Sequence, residues 1–352
     1  MMKVLRLNAP NDLELCDIPL PNPEQNEVVC KVESVSICGT DPHIIAGEYP
    51  GFWPKEFPLV PGHEWSGTVV ELGERSAGFG WKIGDRVCGI SHCGCGQCAM
   101  CLEGRYNLCL NFGESRLGHR QYGHYTAGAY AQYICTSIKS VARIPGEMDY
   151  DTASCMDPLS IALHAVMRSG IQPGDTVLIN GAGSQGLMAV LCAQSMGAGR
   201  ILISGSGSRL EAAKELTAVY PVDYKKEDVV QAVQKLTGGL GTKRVIECTG
   251  TATGFRNACE AVGAGGCISV ISLPKEDVTV PLRSLVLSEV TIAGNRANPN
   301  TLHKAISIAQ KHQDKIRRLI THRFPMSEYR EAFRIFNGRL DNSIKVVLKP
   351  QK

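Results

Sequence analysis

The sequence lacks a long apolar run, a concentration of basic residues and an internal repeat, and each absence removes a class of function. No apolar stretch approaches the roughly 20 residues that a transmembrane helix needs. The net charge is only +3 and no lysine and arginine run stands out, so electrostatics supports neither a nucleic acid nor a membrane as partner. Residues 1–8 predict a strand without the apolar core of a signal peptide, and we expect a cytoplasmic protein.

Cysteine, by contrast, is abundant. The chain has 15 cysteines in 352 residues, and its 43% apolar and 20% charged content is typical of a globular protein large enough for two domains. In the reducing compartment that we expect, clustered cysteines bind metal more often than they form disulfides.

The pattern of short runs and turns predicts two domains. Residues 1–150 contain short β-type runs (28–34, 67–72, 86–90 and 129–135) separated by glycine and proline, which is typical of a mainly β domain. From a helix predicted over 151–169 onward, strands alternate with helices, which predicts a doubly wound parallel sheet over 151–294. The segment 295–352 carries predicted helices at 302–311 and 324–338 and a strand at 344–348. We expect it to rejoin the first domain, because the second sheet is complete before it.

The motif around which the chain is organised is Cys-Gly-Thr-Asp-Pro-His at 38–43, followed by Gly-His-Glu at 62–64. A thiolate and an imidazole are zinc ligands, and a catalytic zinc takes three protein ligands and leaves a position open. Cys38 and His63 are the candidates, and Thr40 and His43 suggest a path for a proton. The alternative for each residue alone is a buried cysteine or a structural histidine.

A second metal site is predicted in a loop with the spacing C-x2-C-x2-C-x7-C. Its four thiolates can converge on one tetrahedral ion and close its coordination shell, so this zinc would be structural. An iron–sulfur cluster also uses four cysteines, but the usual ferredoxin spacings differ. The four residues are Cys95, Cys98, Cys101 and Cys109.

A G-x-G-x-x-G sequence formed by Gly181, Gly183 and Gly186 lies between a predicted strand (176–180) and a predicted helix (184–196). In that context the glycines let the backbone approach a pyrophosphate at the positive end of the helix, as in dinucleotide binding. A glycine turn without a ligand is the alternative.

The end of the next strand bears on the choice of dinucleotide. An NAD site usually has a carboxylate there for the ribose 2′-hydroxyl, and residues 203–209 contain none. Small residues followed by an arginine can instead seat a 2′-phosphate, so we expect NADP to be preferred, with NAD as the alternative. The residues concerned are Ser204, Gly205, Ser206 and Arg209. Arg209 could also be a solvated residue in the first turn of its helix.

Together these motifs resemble those of the zinc-dependent medium-chain dehydrogenases, the alcohol and polyol dehydrogenase family. The resemblance covers essentially the whole chain. It includes the motif G-H-E-x2-G-x5-G, which begins at residue 62, and the motif G-D-R-V, which begins at residue 84. It implies an α/β protein with a GroES-like β catalytic domain, completed by the C-terminal segment, and a Rossmann dinucleotide-binding domain.

The resemblance also implies roles for individual residues. Cys38 and His63 would hold the catalytic zinc, with Glu64 or Asp157 as the carboxylate ligand and Cys155 as a less favoured third ligand. Asp41 would accept a hydrogen bond from the ligand imidazole. Thr40, the cofactor ribose and His43 would carry the proton away.

The implied reaction is hydride transfer between a nicotinamide cofactor and a secondary alcohol of the polyol, sugar or sugar-alcohol type. Asp157 and His92 also match residues found at these positions in threonine dehydrogenases, which oxidise an amino alcohol. Arg296 and Trp53 are possible substrate contacts, and a homodimer or homotetramer is expected. The alternatives outside this reaction are a zinc-bearing binding module without activity and a zinc-free reductase, which would lack Cys38 and His63.

Overall fold

A computed structural model describes residues 1–274 and 276–352, and the chain divides into two compact units. The first unit is Met1–Asp157 together with Asn298–Lys352, and the second is Pro158–Ala297. The passage from the first unit to the second therefore lies a few residues beyond the boundary expected near 150. The C-terminal segment is part of the first unit.

The strands and helices follow in chain order. The strands are β1 Met2–Ala9, β2 Asp12–Ile18, β3 Glu27–Ser36, β4 Glu64–Leu72, β5 Arg86–Gly89, β6 His92–Cys93, β7 Arg120–Gln121, β8 Tyr133–Ser137, β9 Val141–Arg143, β10 Thr176–Asn180, β11 Arg200–Gly205, β12 Tyr220–Asp223, β13 Thr242–Glu247, β14 Val262–Val270, β15 Thr291–Gly294, β16 Ile320–Pro325 and β17 Lys345–Lys349. The helices are α1 Asp41–Ile45, α2 Ala99–Leu102, α3 Tyr150–Ser154, α4 Met156–Arg168, α5 Ser184–Ser195, α6 Gly207–Leu216, α7 Val229–Thr237, α8 Ala252–Ala261, α9 Leu282–Leu287, α10 Leu302–Leu319 and α11 Tyr329–Gly338.

The first unit is built on a sheet in which β3 is central. Strand β3 pairs antiparallel with β4, β8 and β17, and β16 continues the sheet parallel to β17. Alternate apolar side chains of β3, among them Val28, Cys30 and Val32, are fully buried in the core of this unit. Burial of one face of each strand fixes its register, because a shift of one residue would turn every core side chain to solvent.

The second unit is a parallel sheet with the strand order β12-β11-β10-β13-β14-β15. Helices connect successive strands, and buried residues such as Leu178, Leu202 and Val245 form its core. Parallel strands covered by helices are apolar nearly throughout, as β10 and β11 are here. This is the doubly wound sheet that the sequence predicts.

Three elements differ from the sequence prediction. The helix expected at 151–169 is two helices, α3 and α4, with Cys155 between them. The helix expected over 324–338 begins at Tyr329, because Phe324 and Pro325 belong to β16 and pair with β17. The helix expected at 302–311 runs to Leu319 across a kink at His312. Within the described residues, no helix combines the length and the apolar character needed to cross a bilayer.

Asp151 ties the C-terminal segment to the rest of the first unit. Its carboxylate accepts hydrogen bonds from Ser34 Oγ at 2.8 Å and Arg323 Nε at 2.7 Å, and from Lys349 Nζ. Burial alone would raise the pKa of Asp151, but the hydrogen bonds from Lys349 and Arg323 outweigh it and hold the pKa below 3.8.

We expect Asp151→Asn to lower the free energy of unfolding at pH 7 by about 1–2 kcal/mol, a range reduced for the partly exposed arginine. Because the folded-state pKa is depressed, this contribution is present above the ordinary carboxyl pKa and is lost as the pH falls through the folded value. The difference between wild type and variant should therefore shrink below about pH 4. Urea unfolding followed by tryptophan fluorescence measures it, since all three tryptophans lie in the first unit. Asp17→Asn, which breaks an exposed pair with Lys3, is the matched control. A difference of the same size at every pH would contradict this assignment.

Candidate active site

The strand pairing of the first unit brings the predicted zinc ligands together. Cys38 lies just after the end of β3, and His63 and Glu64 lie at the start of β4, where Ser36 of β3 pairs with Glu64. Ligand atoms of Cys38, His63 and Glu64 all lie within 4.8 Å of one another. Gly62 permits this approach, because a Cβ at this position, where φ is +88°, would meet the Tyr130 backbone nitrogen at 2.9 Å.

Asp41 orients the imidazole of His63. The buried Asp41 carboxylate accepts hydrogen bonds from the Cys38 backbone N–H at 2.8 Å and from Tyr130 Oη at 2.6 Å, and its other oxygen lies 3.5 Å from His63 Nδ1. With Nδ1 facing a carboxylate, Nε2 is the nitrogen that remains for a metal. Burial would lower the pKa of His63, but Cys38 and Asp41 raise it to about 10. Such a concentration of negative charge favours a cation.

Glu64 is the third member of the group of candidate ligands, and a lysine donates a hydrogen bond to its carboxylate. Its Oε2 accepts hydrogen bonds from Ser36 Oγ and Lys345 Nζ, and Lys345 also donates to the Ile37 carbonyl at 3.1 Å. The other oxygen, Oε1, is buried and accepts no hydrogen bond from the described part of the chain. A buried carboxylate oxygen without a donor, next to a thiol and an imidazole, fits a zinc ion as its partner.

Asp157 and Cys155 are not members of this group of three. Asp157 is buried, and its Oδ1 accepts hydrogen bonds from Asn298 Nδ2 at 2.9 Å and from the Ser91 backbone N–H at 3.3 Å. Burial raises the pKa of Asp157 to about 6 and that of the Cys155 thiol to about 12. The carboxylate that the structure places with Cys38 and His63 is therefore that of Glu64.

Thr40 precedes α1 and lies beside Cys38, and His43 belongs to the first turn of α1. Thr40 Oγ1 lies 3.4 Å from Cys38 Sγ, and His43 Nδ1 lies 2.8 Å from Glu48 Oε2. An ionised carboxylate can only accept, so Nδ1 of His43 carries a hydrogen and Nε2 is the acceptor of the neutral ring. The sequence analysis missed Glu48, for which the signal was its position five residues after His43.

The four cysteines of the second predicted metal site lie together. Their sulfur atoms are all within 4.8 Å of one another, with Cys95 and Cys101, and Cys98 and Cys109, 3.9 Å apart. Burial raises the pKa of Cys95, but backbone N–H groups of Gln97 and Cys98 outweigh it and lower the pKa to about 6. Four convergent sulfurs, one of them stabilised as a thiolate, fit a zinc ion with no position left for a substrate.

The glycine loop of the second unit connects β10 to α5. Gly181 has a φ of +112°, and a Cβ on Gly186 would meet the Gly181 carbonyl oxygen at 1.8 Å, so the tight turn requires glycine at both positions. Gly183 precedes the first turn of α5, and a Cβ there would lie in open space. The loop thus presents bare backbone at a helix N-terminus, which is where a pyrophosphate binds.

Ser204 contacts the glycine loop of the second unit through its hydroxyl. Its hydroxyl accepts from the Gly181 N–H at 3.0 Å and donates to Asn180 Oδ1 at 2.7 Å, and Asn180 in turn donates to Glu247 at 2.7 Å. Ser204 is 3% exposed and supports the glycine loop through the first of these hydrogen bonds, and its contact with the cofactor stays a prediction. In the sheet register the neighbour of Ser204 is Asn180, which brings the two side chains together.

The residues after Ser204 form the outer end of the strand. A Cβ on Gly205 would lie 2.5 Å from the Ala182 Cβ, so a carboxylate side chain cannot enter there without a shift of the loop. Ser206 Oγ donates to Tyr224 Oη at 3.1 Å, and Arg209 is half-buried in the first turn of α6. The sequence analysis missed Tyr224, which follows β12 and becomes a neighbour only through sheet pairing.

The two predicted substrate contacts lie in different units. Trp53 is partly exposed in the first unit, and its ring centroid lies 4.7 Å from that of His124, which lies 4.4 Å from that of His63. Arg296 is half-buried just after β15 in the second unit. His124, which the sequence analysis did not single out, is thus adjacent to the metal group.

Two family models match the chain: the alcohol dehydrogenase GroES-like domain over residues 24–146 and the zinc-binding dehydrogenase model over residues 186–311. Among curated proteins, the chain is 31% identical to a sorbitol dehydrogenase of Halalkalibacterium halodurans over 94% of both chains. It is 33% identical to an L-threonine 3-dehydrogenase of Bacillus subtilis, over 96% of this chain and 94% of the other. A structure described as a zinc-binding dehydrogenase from Sinorhizobium meliloti 1021 bound to NADP is similar, with a TM-score of 0.89, 30% identity and 99% coverage of both chains.

Proposed function

This chain belongs to the zinc-dependent medium-chain dehydrogenase family, and we propose that it transfers a hydride between a secondary alcohol of the polyol or sugar type and a nicotinamide dinucleotide. It is an oxidoreductase of the GroES-like and Rossmann architecture. The observation that carries the proposal is the convergence of ligand atoms of Cys38, His63 and Glu64 within 4.8 Å, together with a buried Glu64 oxygen that has no donor in the described part of the chain.

When bound, zinc supplies a Lewis acid that stabilises an alkoxide, and the nicotinamide supplies the hydride acceptor. Cys38, His63 and Glu64 hold the metal in this proposal, and Asp41 keeps Nε2 of His63 directed toward it. Thr40 Oγ1 takes up the proton of the substrate hydroxyl as it gives up its own hydrogen to the path, and Nε2 of His43 is the acceptor at the other end of that path. Glu48 keeps His43 in the tautomer that can accept.

Asp157 supports this arrangement by its hydrogen bonds to Asn298 and Ser91. We assign the ligand role to Glu64 and a positioning role to Asp157. Lys345 donates a hydrogen bond to Glu64: burial would lower the pKa of Lys345, but the adjacent Glu64 raises it, so the lysine stays charged. The second metal of the proposal is the structural zinc of the four-cysteine loop.

The test of this function is a screen of polyols, sugar alcohols, amino alcohols and simple secondary alcohols with each dinucleotide. Absorbance of the reduced nicotinamide reports turnover. L-Threonine belongs in the screen as the second candidate, because a threonine dehydrogenase is 33% identical to this chain. The proposal is wrong if zinc-loaded enzyme reduces neither dinucleotide with any of these alcohols.

We also propose that NADP is preferred over NAD. Gly205 leaves no carboxylate to repel a 2′-phosphate. Arg209 offers the phosphate a guanidinium donor, and Tyr224, whose oxygen accepts from Ser206, offers a hydroxyl donor. Arg209→Ala should therefore raise KM for NADP and remove most of the preference. Loss of a charge-assisted hydrogen bond corresponds to about 10-fold to 100-fold in kcat/KM.

The control for Arg209 is the same variant assayed with NAD, for which kcat/KM should change little. Tyr224→Phe removes a hydroxyl without changing the ring and should lower kcat/KM for NADP by a smaller factor. A wild-type kcat/KM that favours NAD would refute the proposed preference.

We propose that the partner of this chain is a second copy of itself, bound through the free edge of the second sheet. In the described residues β15 is the last strand of this sheet, and exposed apolar side chains lie on and before it. They are Leu282 (66%), Val286 (65%), Leu287 (76%) and Ile292 (39%). An unpaired edge strand beside such a patch favours pairing with the same edge of a second copy.

We expect Leu287→Glu and Ile292→Lys together to convert a dimer or tetramer into smaller species. Sedimentation velocity measures the change, and Phe79→Glu, at an exposed apolar residue (66%) of the first unit, is the control. A wild-type chain that sediments as a monomer at micromolar concentration would contradict the proposed interface.

A further inference from the structure

The turn that follows β13 packs against the glycine turn that follows β10, and the proposed function uses only the glycine turn. A Cβ on Gly181 would meet Cγ2 of Thr249 at 3.0 Å, and the Cys248 N–H donates to the Asn180 carbonyl at 2.9 Å. From β10 the sheet continues to β11 and β12 on one side and to β13 on the other, so the strand order reverses between β10 and β13. Ligands of open parallel sheets bind at the carboxyl ends of the strands at such a point.

One buried carboxylate joins the two turns. Glu247, the last residue of β13, is 1% exposed and pairs in register with Asn180, the last residue of β10. Its Oε1 accepts hydrogen bonds from the Thr249 N–H at 2.7 Å, the Thr249 hydroxyl at 2.5 Å and the Gly250 N–H at 3.1 Å. Its Oε2 accepts from Asn180 Nδ2 at 2.7 Å. Burial raises the pKa of Glu247, and these four donors oppose the rise, because they favour the ionised form.

The carboxylate also fixes the direction of each hydrogen bond between itself and the glycine turn. Asn180 Nδ2 faces two groups that can only accept, Glu247 Oε2 and the Gly254 carbonyl oxygen at 2.8 Å, so the orientation of the amide is determined. Asn180 Oδ1 therefore receives the single hydrogen of the Ser204 hydroxyl, at 2.7 Å. The Ser204 oxygen is then left to accept from the Gly181 N–H, at 3.0 Å. The first peptide of the glycine turn is thus oriented by a carboxylate of the neighbouring strand.

Burial makes this network sensitive to a change of a single atom. Asn180 is 2% exposed and Ser204 is 3% exposed, so water does not readily replace a lost partner. An amide in place of the Glu247 carboxylate would direct its own NH2 at that of Asn180. Relief requires the Asn180 amide to turn over, and the Gly254 carbonyl then loses its donor. The disturbance ends at the backbone of the glycine turn.

We propose that Glu247 is a positioning residue for the dinucleotide, which fixes the glycine turn that receives the pyrophosphate against the turn that follows β13. The carboxylate acts through Asn180 and the turn backbone, because its own oxygens are occupied by these donors. Since the pyrophosphate is common to NAD and NADP, the effect of Glu247 is the same for both, unlike that of Arg209. The inference rests on the proposed function, since it takes the glycine turn as the dinucleotide site.

Isothermal titration calorimetry of the zinc-loaded enzyme with NADP and with NAD tests this role. Glu247→Gln should raise Kd for both dinucleotides by about tenfold, the lower end of what loss of a hydrogen bond to a charged group costs. Thr249→Val removes one donor to the same carboxylate and should raise both Kd values by a smaller factor. Asp175→Asn is the matched control, because Asp175 accepts from Arg244 Nε at 3.1 Å and links the same two strands near their amino ends. It should lower the melting temperature and leave both Kd values unchanged.

The double variant Asn180→Asp with Glu247→Gln tests the direction of the hydrogen bonds. Asn180→Asp alone sets two carboxylates face to face. In the double variant the new amide NH2 faces a carboxylate again, and the Ser204 hydroxyl keeps its acceptor. Only the Gly254 carbonyl remains without a donor. We therefore expect Kd of the double variant to rise by less than the product of the factors measured for the two single variants.

Four results would overturn the assignment of Glu247. They are unchanged Kd values in Glu247→Gln (or in Thr249→Val, should Glu247→Gln not fold), a loss confined to NADP, an equal rise of Kd in Asp175→Asn, and factors that simply multiply in the double variant. Each of them leaves the proposed function standing, because wild type still binds a dinucleotide. If zinc-loaded wild type binds neither NADP nor NAD, the proposed function itself is wrong, and the inference is refuted with it.

Discussion

Cys38→Ser should bind one zinc ion per chain where wild type binds two, and should lose dehydrogenase activity by roughly a thousandfold or more. The serine hydroxyl is a poor ligand in place of a thiolate, and the metal contributes several kcal/mol of charge stabilisation to the reaction. Metal analysis by mass spectrometry gives the stoichiometry, and absorbance of the reduced nicotinamide gives the rate.

The matched control is Cys155→Ser. Cys155 is buried near the end of α3 but is not in the group formed by Cys38, His63 and Glu64. It should retain two zinc ions and most of the activity. The assignment fails if Cys155→Ser loses the second zinc ion and Cys38→Ser keeps it, because Cys155 would then be the cysteine ligand instead of Cys38.

Thr40→Ala should lower the rate of alcohol oxidation by a hundredfold or more, on the order expected for loss of a group that transfers the proton, with two zinc ions retained. Thr40 Oγ1 lies 3.4 Å from Cys38 Sγ, so the hydroxyl is next to the proposed metal without being a member of the ligand group. Stopped-flow measurement of nicotinamide reduction separates this step from product release.

Thr40→Ser is the control for this prediction, because it keeps the hydroxyl and removes only a methyl group. It should retain most of the rate. Near-normal turnover of Thr40→Ala with unchanged zinc content would contradict a role of Thr40 in proton transfer.

The features that the sequence predicts best are those whose residues lie close together in the chain. The cysteine loop and the glycine turn each require a few residues at fixed spacing, and the structure brings the members of each together. Alternation of apolar residues likewise predicts the parallel sheet of β10 and β11.

The hydrogen bonds that position the candidate ligands could not be predicted from the sequence, because they join residues far apart in the chain. Lys345 pairs with Glu64 across 281 residues, and Tyr130 bonds to Asp41 across 89 residues. Both depend on which strands are neighbours. The hydrogen bond from Ser204 to Asn180 has the same origin, because it depends on the pairing of β10 with β11.

The secondary structure that escaped prediction has a common cause. Strand β14 contains Gly263, Gly265 and Gly266, and glycine gives little strand signal. At β16 the sequence has a helical pattern just beyond the strand, and pairing with β17 decides the conformation of Phe324 and Pro325. Tertiary pairing outweighs local preference in both places.

The most direct test of the central claim is anomalous diffraction at the zinc absorption edge from crystals grown without chelators. The account predicts two peaks per chain, one among the four cysteine sulfurs and one within bonding distance of Cys38 Sγ, a nitrogen of His63 and a carboxylate oxygen of Glu64. A single peak at the four-cysteine loop, with Cys38, His63 and Glu64 holding no metal, would contradict it.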